Sequence, residues 1–190
     1  MMSDNGQIGE VALLQIHRDL LVPGDSFDPA PLLQVEAMSI DAAGVLGWSG
    51  EGWVVDVHHR SWPGRGGRRP VSMGFTSHYD KMRDRFREIA LGTAGENVIV
   101  TASAPVALED LGDVVIRGID GREVLLTKPI VARPCRQFTS FLLELPYKAE
   151  AADIADELAF LDGGTRGFIF AVDHLTEAVV IRPGDGVYRT

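Results

Sequence analysis

The chain is a succession of short apolar runs cut at close intervals by glycine, proline and aspartate, and this punctuation narrows its fold more than any other feature. Residues 11–16 (VALLQI), 32–40 (LLQVEAMSI), 53–57, 98–101, 114–119, 123–127, 167–172 and 178–181 are each short, apolar and in most cases rich in β-branched side chains, which pack well on a pleated surface. Asp120-Gly121, between two such runs, is a strong hairpin signal because a tight turn there needs positive φ. Between 44 and 52 the glycines at 44, 47, 50 and 52 read as turn. Helical spacing occurs in two places. Met82, Phe86 and Ile89 form an i, i+4, i+7 stripe over about 79–90, with Thr76 or Ser77 available as a cap and Gly92 as a stop. Residues 148–161 (KAEAADIADELAFL) end at Asp162-Gly163-Gly164. The pattern predicts a mainly β chain, a barrel with peripheral α-helices.

A length of 190 residues fits one domain over 1–190, and 45% hydrophobic residues can fill a core. The net charge of −9 argues against nucleic-acid binding, which rewards a basic face. No run approaches the ~18 apolar residues that a bilayer requires, so no membrane partner is expected. The polar, acidic stretch 1–10 does not read as a secretory signal, and one cysteine permits no internal disulfide. Both fit a reducing cytoplasm.

Several short motifs follow in order: Gly95-Glu96-Asn97 before a strand, Gly112-Asp113 before another, a strand leading to Pro134-Cys135, then Arg166-Gly167-Phe168 and Pro183-Gly184-Asp185. This order resembles the MOSC family, the module at the C-terminal end of molybdenum-cofactor sulfurases. The motifs lie in 95–190; the part 11–94 is similar more loosely, through Asp56-Val57-His58 and the strand of Arg69-Pro70-Val71-Ser72-Met73. The resemblance implies a MOSC-like β-barrel that binds a sulfur- or molybdenum-bearing group through its cysteine. Molybdenum cofactor (molybdopterin) is therefore the expected cofactor. Pyridoxal phosphate is not expected, because 190 residues leave no room for a desulfurase domain. An oxidoreductase using that cofactor and a sulfur transferase both fit, and a redox or sulfur-donor protein would be the partner.

Chemistry singles out the same cysteine. A thiolate beside positive charge accepts sulfane sulfur or ligates a soft metal, and Arg133 and Arg136 flank Cys135 in sequence. The resemblance brings Arg166 to the same mouth. These arginines, and Arg69 from the Arg/Gly-rich segment 60–70, suit a small anionic cofactor or substrate. On a strand Asp56 and His58 share one face while His59 points to the other, so at most one histidine joins the aspartate, as a general base or metal site, and His58 stands with Arg69 as a cofactor-binding candidate. His17 and His78 have no partner in the sequence, and no zinc-ligand spacing is present. A non-catalytic barrel that binds a ligand or protein, with Cys135 in the core, stands as the alternative. The helix over 148–161 could face its own core or build a homodimer.

Overall fold

The structure, a computed structural model, describes residues 6–63 and 70–190. It is mainly β: twelve strands and four short helices among the described residues. The strands are β1 (Gln7–His17), β2 (Leu32–Gln34), β3 (Ala37–Asp41), β4 (Gly44–Trp48), β5 (Trp53–Val55), β6 (Val71–Phe75), β7 (Val98–Val100), β8 (Val114–Arg117), β9 (Glu123–Val131), β10 (Phe168–Ala171), β11 (Val179–Ile181) and β12 (Gly186–Arg189). The helices are α1 (Thr76–Arg85), α2 (Leu108–Leu111), α3 (Arg136–Leu142) and α4 (Ala155–Asp162).

Seven strands close on themselves in the order β12-β8-β9-β10-β6-β7-β1, with β1 returning to β12. Closure leaves no free edge, and the result is consistent with the MOSC-like barrel implied by the motif order. β1 makes it possible. Its eleven residues pair in turn with β12, β7 and β2, with register shifts at Gln7/Gly9 and Val11/Leu13. Such bulges bend a strand enough to pass from one partner to the next. β6 and β7 are parallel and joined through α1, while the remaining barrel pairs are antiparallel.

Strand alternation divides the apolar residues between two cores. Val98 and Val100 join Phe75, Val114, Ile116, Leu126 and Phe168 in the main cluster. Ile99, between them, faces the other way into a second cluster of Phe27, Tyr79, Met82, Phe138, Leu142 and Leu161. That second cluster holds α1, α3 and α4 against the barrel, while Leu111 of α2 joins the main cluster. A smaller antiparallel sheet, β11-β3-β4-β5, packs on the same body.

The elements depart from the sequence expectation in a few places. Residues 32–40 form two strands broken at Val35-Glu36, and the glycine-rich 44–48 is strand β4. α1 begins three residues before Tyr79, and the Thr76 and Ser77 hydroxyls bond the Ala102 and Ala104 carbonyls instead of capping it. It stops at Arg85, well before Gly92. The helix expected over 148–161 is regular only in its second half, as α4. No helix among the described residues is long and apolar enough to cross a membrane.

Candidate functional site

Residues that lie far apart in sequence meet at strand ends. His17 ends β1, Asp56-Val57-His58 follow β5, Ser72 lies in β6, Gly95-Glu96-Asn97 precede β7, Cys135 caps α3 and Arg166 precedes β10. They surround a cavity of about 660 Å³ whose wall includes His17, His58, Glu96, Cys135, Gln137 and Arg166. Sites for small ligands commonly have ~300–1,000 Å³.

Asp56 organises one wall. Its carboxylate is fully buried and accepts the His17 N–H at 2.8 Å, the Asn97 Nδ2 amide at 3.0 Å and the His58 N–H at 2.7 Å. His58 Nδ1 stands 3.0 Å from it and His17 Nδ1 3.7 Å. Burial alone pushes this carboxyl up, but the His58 hydrogen bond, the imidazole charges and the backbone N–H outweigh it and hold the pKa below the ordinary value. Asn97 in turn accepts from Ser72 N and Oγ and donates to the Gln15 carbonyl. The sequence reading left His17 without a partner; its partners are 39 and 41 residues away, beyond the reach of any local spacing. His59 turns away to Ser61 and Asp41, so the expectation that a single histidine of the pair joins Asp56 holds.

Burial depresses His17 to a pKa of about 4, against the pull of Asp56 and with the push of His58. Its Nε2 lies 2.7 Å from the Gly95 carbonyl, which can only accept, so the ring is neutral with its proton on Nε2. His78, buried against Val106, is likewise depressed to about 4, mainly by desolvation. Such groups bind protons more readily in the unfolded chain, so their contribution is intact above pH 6.5 and lost as pH falls from 6.5 toward 4. For His78 alone that loss reaches up to about 3 kcal/mol. Urea unfolding across this window should show it, and His78→Phe should flatten the acid limb; an unchanged slope in that variant would refute the assignment.

Cys135 and Arg166 line the same cavity as His17 and His58. Cys135 is half-buried and is the N-cap of α3, its Sγ accepting from the Phe138 N–H at 3.4 Å. Arg166 is buried, lies over the Phe138 ring and donates to the Arg133 and Ala94 carbonyls. Its Nε has no hydrogen-bond partner among the described residues, nor has Glu96 Oε1. Buried polar atoms of this kind are uncommon and want a partner. Glu96 is fully buried, and desolvation raises its pKa despite the hydrogen bond from Tyr79.

Of the site residues expected from sequence, Cys135, Arg166 and His58 line this cavity. Arg133 and Arg136 are not among its lining residues. Arg133 is exposed and contributes its carbonyl to Arg166, and Arg136 forms an ion pair with Glu150 at 2.7 Å. Arg69, with Arg65 and Arg68, lies outside the described residues.

Set against known proteins, the sequence matches no family model and no curated protein. Solved structures do match. The YuaD protein from Bacillus subtilis superposes with a TM-score of 0.59 at 17% identity, over 94% of this chain and 93% of that one. YiiM from Geobacillus stearothermophilus gives 0.51 at 15% identity, over 95% and 74%. A hypothetical protein gives 0.54 at 12% identity, over 97% and 70%. The chain shares the fold of YuaD and YiiM.

Proposed function

We propose that this chain is a MOSC-type protein that binds a molybdenum-bearing pterin cofactor in the cavity, with Cys135 as the ligand to the metal. One observation carries the reading: the single thiol of the chain lines the same cavity as a buried cation with an unpartnered N–H. The donor set fits such a group. A thiolate suits molybdenum, the free Arg166 Nε suits an anionic or carbonyl oxygen, and Glu96 Oε1 suits an amino or hydroxyl donor on the pterin. When bound, the cofactor would supply two-electron oxidation–reduction chemistry. The protein's own part is to hold it: Arg166 is fixed by two backbone carbonyls and by Phe138, so its guanidinium is already oriented before anything binds. The barrel shared with YuaD and YiiM supports the reading at the level of fold.

Protein purified from a host that makes molybdenum cofactor should carry equimolar molybdenum and pterin. Cys135→Ser is the variant of choice, because a serine oxygen keeps the N-cap to Phe138 while removing the sulfur. Molybdenum should be lost in it with the fold intact. Absence of metal and pterin from the wild type overturns cofactor binding. Persulfide on Cys135 would then identify a sulfur carrier. Its absence would leave a thiol whose work is to cap α3 in a ligand-binding barrel, the role the Phe138 hydrogen bond favours.

A further inference from the structure

Where His17 and His58 line the cavity, three donor atoms, one each from His17, Asp56 and His58, converge on a volume that holds a single proton. His17 carries its proton on Nε2, held by the Gly95 carbonyl at 2.7 Å, so its Nδ1 presents a lone pair. That lone pair lies 3.1 Å from His58 Nδ1, which is itself 3.0 Å from Asp56 Oδ1. One His58 N–H is thus divided between two acceptors, an imidazole nitrogen and a carboxylate oxygen. Exchange that proton for a metal ion and all three atoms become ligands.

The spacing suits that exchange. Ligand atoms about 2.0–2.1 Å from a tetrahedral ion stand about 3.3–3.4 Å apart. Here the two nitrogens are 3.1 Å apart, Asp56 Oδ1 lies 3.0 Å from His58 Nδ1 and Oδ2 lies 3.7 Å from His17 Nδ1, and one ligand atom from each residue lies within 4.8 Å of the others. The outer shell that orients metal ligands is also built. His17 is fixed through its far nitrogen by a backbone carbonyl, and Asp56 by the amide of Asn97 and two backbone N–H groups. Charge points the same way. Asp56 is fully buried, and the two imidazoles are its sole ion-pairing neighbours within 4.0 Å among the described residues. A buried carboxylate without a lysine or arginine calls for a cation. Finally, the site is not closed. Both His17 and His58 line the cavity, and the His58 side chain is 25% exposed.

We propose that His17, Asp56 and His58 hold a divalent transition-metal ion of the imidazole-preferring class, zinc foremost, with a coordination position open to the cavity. Three protein ligands and one open position is the arrangement of zinc sites that act on a bound molecule, in contrast to closed four-ligand structural sites. The ligands this ion would accept are water and anionic oxygen groups. The proposal uses none of the residues assigned to the pterin and stands whether or not that cofactor binds.

Protein stripped with a chelator is titrated with Zn²⁺ and with Co²⁺, followed by calorimetry, elemental analysis and absorption. Equimolar zinc should bind to the wild type. His58→Ala should weaken it at least about 100-fold, since loss of supporting residues alone costs about 10–100-fold. His58→Gln, which keeps an amide donor to Asp56, provides the same test should the alanine variant not fold. Cys135→Ser should bind zinc as the wild type does, and the Co²⁺ protein should show d–d bands with no sulfur charge-transfer band. Failure of the wild type to bind zinc, binding unchanged in a folded His58 variant, or binding lost in Cys135→Ser each overturns the site.

Discussion

Gly167→Ala should cost the protein about 4 kcal/mol or more, a large part of the ~5–15 kcal/mol that keeps a protein folded. Gly167 has φ +93°, and a Cβ there would stand 2.4 Å from the Met73 carbonyl oxygen and 3.3 Å from Glu96 Cγ. The obstacle is backbone, and the backbone is pinned on both sides. Gly167 N–H donates to Gly164 O, its carbonyl accepts from Ala132, and Phe168 is in register with both Met73 and Val131. Relief of the clash must therefore break the β9–β10–β6 ladder or shift Arg166, one residue before. The left-handed conformation itself adds about 1–3 kcal/mol for a residue with a side chain. Gly184 is the control: its φ is +91°, but nothing lies within 4 Å of its Cβ position. Gly184→Ala should lose only the conformational part. Equal shifts of the urea midpoint in the two variants would show that the close approach to Met73 carries no weight.

The motif order pointed to Gly167 and Arg166 without giving the reason for either; the reason is that β6 and β10 approach too closely for a side chain at 167. Much of the barrel was legible because short β-branched runs and turn residues coincide, as at Asp120-Gly121, where β8 and β9 form a hairpin and Gly121 has φ +80°. β4 was not, since its glycines read as turn. Gly47 is in fact a strand residue whose missing side chain admits Val35 and Ile16 from the layer beneath. α3, seven residues long, is too short for a helical period to declare itself. The cavity brings Cys135, Arg166 and His58 together, whereas Arg133 and Arg136, neighbours of Cys135 along the chain, are not among its lining residues. His17 could not be found, because nothing local distinguishes it. Its meaning comes from Asp56, His58 and Gly95, which arrive from two other segments. Asn97 ties β6 and β1 to Asp56.

Tyr79→Phe removes one oxygen and strands two buried groups, so a loss of about 3–5 kcal/mol is expected. The Tyr79 hydroxyl donates to Glu96 Oε2 at 2.6 Å and accepts from the Ala94 N–H at 3.0 Å. Tyr79 and Glu96 are both buried. The pH dependence should identify which orphan costs more. Burial already raises Glu96 above its ordinary 4.5, and the Tyr79 hydrogen bond opposes that rise. A carboxyl whose folded pKa is raised favours the fold at low pH, where it is protonated, and loses that advantage as pH climbs through the unfolded and then the folded value. Without Tyr79 the folded value climbs further. The penalty of the variant should therefore be larger near about pH 8 than near about pH 5, and adding Glu96→Gln should remove the pH-dependent part by replacing a buried charge with a neutral amide. A penalty that is the same at both pH values would place the cost on the Ala94 N–H. Because Glu96 lines the cavity, the same substitution also alters the charge that a bound ligand meets. Tyr79 thus couples the second core to the cavity through one hydroxyl, and a double-mutant cycle over Tyr79 and Glu96 measures that coupling directly.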